Sequence, residues 1–61
     1  MPNISIEGPT LDLDTKRTLA QELTDAACKA YGLPAQTIVV IIRENDPTNV
    51  SVGGELICDR K

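Results

Sequence analysis

Thr37-Ile38-Val39-Val40-Ile41-Ile42 is an unbroken run of β-branched residues. Such a run suits a strand covered on both faces, as in a parallel sheet, because branched side chains pack well on a pleated surface. Upstream, Leu19, Ala20, Leu23, Ala26, Ala27 and Ala30 recur at steps of three and four and form one apolar stripe. This spacing predicts a helix over about residues 13 to 31. Asp12 or Asp14 can accept hydrogen bonds from its first turn, and Gly32-Leu33-Pro34 closes and ends it. Further upstream, Ile4 and Ile6 alternate with Asn3, Ser5 and Glu7, the period of a half-buried strand, and Gly8-Pro9-Thr10 breaks it. Strand, helix and strand make a β-α-β unit, whose crossover should be right-handed and whose strands should be parallel. One helix covers one face of that sheet. The second apolar face of Ile38 to Ile42 therefore calls for another subunit.

Downstream, Val50-Ser51-Val52 and Glu55-Leu56-Ile57 flank Gly53-Gly54, which reads as a tight hairpin. A two-stranded hairpin is barely stable alone, so it is expected to lie as an arm on a neighbouring subunit. The fold class is thus α+β: residues 1–61 form a single domain with a two-stranded parallel sheet and a C-terminal β-hairpin, assembled as an oligomer.

The size of the chain leads to the same expectation. Ordering 61 residues costs about 90 kcal/mol. The apolar area that a monomer of this size can bury offsets roughly that amount and no more. Disulfides, a metal or self-association usually supply the rest. There is no His, and Cys28 and Cys58 stand far apart, which disfavours a metal. The polar first residues do not resemble a secretion signal, so a cytoplasmic protein with reduced thiols is expected. A net charge of −3 and a single aromatic, Tyr31, argue against nucleic-acid binding. No apolar run has the length of a membrane span.

Pro2 is the main candidate for chemistry. Removal of Met1 would leave a secondary amine at the start of a strand. An α-amino group titrates at about 7.7–8.0 in model peptides, so it can act as a base near neutral pH. Apolar walls or a nearby cation would lower that value. Positioning of the substrate and stabilisation of the developing oxyanion would have to supply the larger part of any rate gain. Ser5 and Ser51 have no His to activate them.

Met1-Pro2 leads straight into a strand, and Lys16 precedes the helical stretch Leu19 to Ala30. Gly32-Leu33-Pro34 follows, then Ile38-Val39-Val40-Ile41-Ile42 with Glu44, and finally Val52-Gly53-Gly54-Glu55-Leu56. In these features, along nearly its whole length, the chain resembles the 4-oxalocrotonate tautomerase family of the tautomerase superfamily. The resemblance implies a β-α-β subunit assembled as a hexamer, a trimer of dimers. It implies a cofactor-independent isomerase whose N-terminal proline, here Pro2, moves a proton on a small anionic enol or α-keto acid. In the family, arginines bind the substrate and an aromatic lowers the proline's pKa. Here Pro9 or Leu11 stands at the place of the first arginine, Val39 at the second and Val50 at the aromatic.

Arg43 is the candidate replacement for substrate binding. If the second strand extends that far, Val39, Ile41 and Arg43 share a face. Arg43 could then approach the pocket holding Pro2 from its own subunit or a neighbour, and a guanidinium can hold a carboxylate by two hydrogen bonds. The alternative for Arg43 is a surface position paired with an acidic neighbour. Lys16 and Arg17 on the polar helix face, and Arg60 near the end, are weaker candidates. Two other functions stay open. One is a hydratase or dehalogenase-like relative, with Glu7 or Asp12 activating water. The other is a non-catalytic, small-molecule-binding oligomer of the same fold.

Overall fold

The structure, a computed structural model, describes residues 1–60. Strand β1 (Asn3–Gly8) leads through a short loop into helix α1 (Leu13–Tyr31), and strand β2 (Val39–Glu44) returns beside β1. The two strands are parallel, with Asn3 opposite Val39 and Gly8 opposite Glu44. Backbone bonds extend the ladder at both ends: the Val39 N–H donates to the Pro2 carbonyl at 3.0 Å and the Asn45 N–H to the Gly8 carbonyl at 2.8 Å. A separate antiparallel pair, β3 (Ser51–Val52) and β4 (Glu55–Leu56), forms the hairpin.

The helix spans the predicted residues. Of the two candidate caps it is Asp12 whose carboxylate accepts the Thr15 N–H, at 3.4 Å. Asp14 instead lies in the first turn and pairs with Arg17 at 2.7 Å. Gly32 adopts a left-handed φ of 67° and donates its N–H to the Cys28 carbonyl, a conformation that costs a residue with a Cβ.

Strand β2 starts later and ends later than the β-branched run. Residues Ala35–Thr37 form a 3-10 turn. The Pro34 carbonyl accepts both the Thr37 N–H at 3.0 Å and the Thr37 hydroxyl at 2.8 Å. The chain needs those residues to turn from the helix end back to the sheet. Thr37, a strand former by propensity, closes the turn with its hydroxyl instead. At the other end the ladder carries on through Arg43 and Glu44.

Glu44 reaches the loop and the helix: its carboxylate accepts the Leu11 N–H and pairs with Lys16. By alternation, the face bearing Val40, Ile42 and Glu44, with Ile4 and Ile6 opposite, is the one turned to α1. The other face carries Asn3, Ser5 and Glu7 beside Val39, Ile41 and Arg43, and α1 leaves it open. The packed helix face holds most of the predicted stripe: Leu19, Ala20 and Leu23 are half-buried and Ala27 is buried. Its edge differs, because Ala26 and Ala30 are exposed whereas Lys16, Thr24 and Cys28 are half-buried. The stripe is thus turned by a fraction of one residue step.

Among the described residues Ala27 alone is buried, and Tyr31, Leu13 and Val52 each keep more than half of their surface exposed. The chain exposes 4719 Å², against roughly 3,900 Å² for a compact monomer of this mass. Its radius of gyration is 14.7 Å, against about 10.5 Å for a compact domain of this length. The molecule is 43 Å long and 15 Å across its thinnest direction. A lone chain of this shape has no closed core.

Candidate functional site

Pro2 stands half-buried at the entrance to β1. Its carbonyl is tied to the Val39 N–H and its ring limits φ, so two constraints fix the residue at the sheet end. Met1 before it is 88% exposed.

Arg43 lies on the open face of the sheet, opposite Glu7 in the strand register. Pro2 precedes Glu7 by five strand steps, about 16 Å at ordinary strand rise. One chain therefore holds Pro2 and Arg43 at opposite ends of the same sheet, and its own Arg43 does not reach its own Pro2. An approach of Arg43 to Pro2 would therefore need a neighbouring chain, and the surface position remains the alternative for Arg43.

The other cations are mostly engaged. Lys16 pairs with Glu44 at 3.0 Å, Arg17 with Asp14 at 2.7 Å and Arg60 with Glu55 at 3.6 Å. Among the described residues, Lys29 and Arg43 have no ion-pair partner. Lys29 sits in the exposed last turn of α1. Asp12 is committed to capping. Glu7 Oε1 accepts the Asn45 side-chain N–H at 3.0 Å, which ties it to the end of the ladder.

Past the ends of β1 and β2, a cleft of about 280 Å³ is lined by Gly8, Pro9, Asn45, Pro47, Val50 and Ile57. Asp46 shapes its rim by accepting the Thr48 N–H at 2.9 Å and the Thr48 hydroxyl at 2.8 Å, opening the 3-10 turn Pro47–Asn49. Those bonds, the Thr48 N–H foremost, hold the Asp46 carboxyl below its ordinary range. The Ile57 N–H donates to the Val50 carbonyl at 2.8 Å, so the hairpin base forms one wall. The cleft lies at the Arg43 end of the sheet, far from the Pro2 of the same chain.

Glu44 secures the opposite wall. One carboxylate oxygen accepts the Leu11 N–H at 2.8 Å, and the other meets Lys16. These contacts, the Leu11 N–H first, lower the Glu44 pKa. They pin the loop that carries Pro9 to the end of β2. Neither the cleft nor this clasp is among the sequence-based expectations. Two proline-bearing loops, at Pro9 and Pro47, flanking Val50 and Ile57 are its one sequence signal, and the pairing of those loops is invisible without the strand register. No helix among the described residues is long and apolar enough to cross a membrane.

A family model described as tautomerase enzyme matches residues 2–60. A probable tautomerase of Bacillus cereus is 33% identical over 63 residues, covering 98% of this chain and all of that one. The crystal structure of DmpI from Archaeoglobus fulgidus superposes with a TM-score of 0.89 at 40% identity, covering 95% of this chain and all of that one. A heterohexamer 4-oxalocrotonate tautomerase from Chloroflexus aurantiacus gives a TM-score of 0.90 at 29% identity over the full length of both chains.

Proposed function

The chain belongs to the tautomerase family, and we propose that it is an oligomeric isomerase in which the amine of Pro2, freed of Met1, is the general base. The amine takes a proton from the enol hydroxyl of a small enol acid, and its conjugate acid returns a proton to the substrate carbon. Arg43 of a neighbouring subunit binds the carboxylate and favours the neutral amine by its charge. The observation that carries this reading is the position of Pro2: it is fixed by its ring and its carbonyl bond at the sheet end, and a family match begins there.

The reading requires self-association, because Pro2 and Arg43 of one chain lie too far apart to share a substrate. The open sheet face, with Val39 and Ile41, and the exposed Val52 and Leu56 of the hairpin supply the apolar surface for it. A hexamer built as a trimer of dimers suits a chain this similar to a hexamer-forming relative.

Mass spectrometry of the purified protein tests the first requirement, the loss of Met1. Enol-to-keto conversion of phenylenolpyruvate by the wild type, Pro2→Ala and Arg43→Ala tests the rest. Retained Met1, or full activity in Pro2→Ala, removes the general-base role.

One observation favours a second reading, a non-catalytic binder of the same fold. Val39 and Val50 stand where the family places a second arginine and an aromatic, and wild-type inactivity with intact assembly supports that alternative. The commitment of Asp12 to Thr15, and of Glu7 to Asn45, weighs against a water-activating hydratase.

A further inference from the structure

We infer that the cleft and Arg43 together select a carboxylic acid with one charge and an apolar body, and disfavour a dicarboxylate. The inference rests on the proposed function for the anchoring of the anion at Arg43. It adds the nature of the remainder of the ligand.

The cleft volume of about 280 Å³ is near the lower end of ligand sites, about 300–1,000 Å³, and suits one ring-sized group. Pro9, Pro47, Val50 and Ile57 supply apolar wall, and Asn45 is its one polar side chain. One N–H of the Asn45 side chain is already donated to Glu7, so this amide has a single N–H left to offer a ligand.

The charges point the same way. Lys16, Arg17 and Arg60 are each held by a carboxylate, and Lys29 lies on the exposed helix end. Among the described residues Arg43 is thus the cation without an ion-pair partner nearest this cleft, two residues before its lining residue Asn45. Its register partner is Glu7, so the two together carry no net charge, and once one carboxylate is bound nothing there attracts a second. A second carboxylate in the cleft would lose its water and find at most one neutral amide N–H and no cation among the lining side chains. An aryl or alkyl group there would lose only water from apolar surface, which favours binding.

The test uses two unreactive acids, 3-phenylpropanoate and hexanedioate, titrated into the assembled protein and followed by nuclear magnetic resonance. Neither acid needs turnover, so the result stands whether or not Pro2 acts as a base. The expected result is chemical-shift change at Asn45, Val50, Ile57 and Arg43 with 3-phenylpropanoate. Hexanedioate should bind about tenfold or more weakly, the scale of one uncompensated charged group. Arg43→Gln should weaken 3-phenylpropanoate by a similar factor, and Val50→Asp should weaken it while leaving assembly intact by sedimentation. Equal or tighter binding of hexanedioate overturns the inference. So does a cleft whose resonances ignore both acids, because another copy of the chain would then fill it. If Val50→Asp disrupts assembly, Val50→Thr, which keeps the shape and adds a hydroxyl, replaces it with the same expected direction.

Discussion

Pro2 enters the sheet through its carbonyl, so its backbone position is set by Val39 and not by whatever binds at its nitrogen. Replacing it changes the proposed base and leaves the ladder bond in place. Pro2→Ala is expected to lower kcat/KM by about 10²-fold, the lower end for a lost general base, with the far-ultraviolet spectrum unchanged. Arg43 is exposed and makes no described ion pair, so its replacement has little structural cost. Arg43→Ala should raise KM by roughly tenfold, the scale of one charge-assisted hydrogen bond, while Arg43→Lys recovers only part because it lacks the planar fork. Glu44 acts on stability. Its carboxyl is held below its ordinary value of 4.5 by the Leu11 N–H and by Lys16. The stabilisation is therefore complete above that value and is lost as pH falls through the lower value of the folded state. Glu44→Gln keeps an acceptor for the Leu11 N–H and loses the titration. Urea midpoints should then fall less for Glu44→Gln than for the wild type as acid is added. Equal slopes would show that the clasp contributes nothing.

At the scale of elements, the β-α-β unit is closed by features at its joints. Asp12 satisfies the start of α1, Gly32 ends it, and the turn Ala35–Thr37 returns the chain to the sheet. The hairpin depends on Gly53 and Gly54, with φ of 63° and 86°. Two consecutive positive values match the turn that follows the twist of paired strands. No atom crowds a Cβ at either position, so the cost of substitution lies in the backbone and not in contacts. Gly54→Ala should destabilise by about 1–2 kcal/mol, read as a lower thermal midpoint. Because β3 and β4 are two residues each, their stability must come from what they pack against, and the effect should be larger in the assembled protein than in a dissociated chain.

For the whole molecule, surface is the governing quantity. Roughly 800 Å² more is exposed than on a compact monomer of this mass, and α1 covers one face of the sheet only. An interface of standard size buries about 800 Å² on each partner, so one such contact removes the excess. Two consequences can be measured. The unfolding midpoint should rise with protein concentration, because folding and association are coupled. Sedimentation should give a multiple of the chain mass at micromolar concentration. A folded monomer there contradicts both this account and the proposed shared site, which requires Pro2 and Arg43 of two different chains.

The elements were legible in the sequence because each rests on local chemistry: a period of two in β1, a period of three to four in α1, Gly32 at the helix end and Gly53-Gly54 at the hairpin. Pro2 stood out as a candidate because a free prolyl amine would be a covalent property of the chain. The need for a partner was legible in Ile38 to Ile42, which offers apolar side chains to two faces with one helix to cover them. The exact strand limits were not, since Thr37 has the propensity of a strand residue and the direction of the returning chain makes it close a turn. The packing face of α1 was legible in Leu19, Leu23 and Ala27, but its edge was not, because Ala26, Ala30, Thr24 and Cys28 differ too little in hydrophobicity to rank. Strand register, a tertiary property, put Glu7 opposite Arg43, brought the Pro9 and Pro47 loops together into a cleft, let Glu44 reach Leu11 across 33 residues, and parted Pro2 from Arg43. Those relations depend on how two strands align in space, and side chains distant in the chain carry no local signal of it.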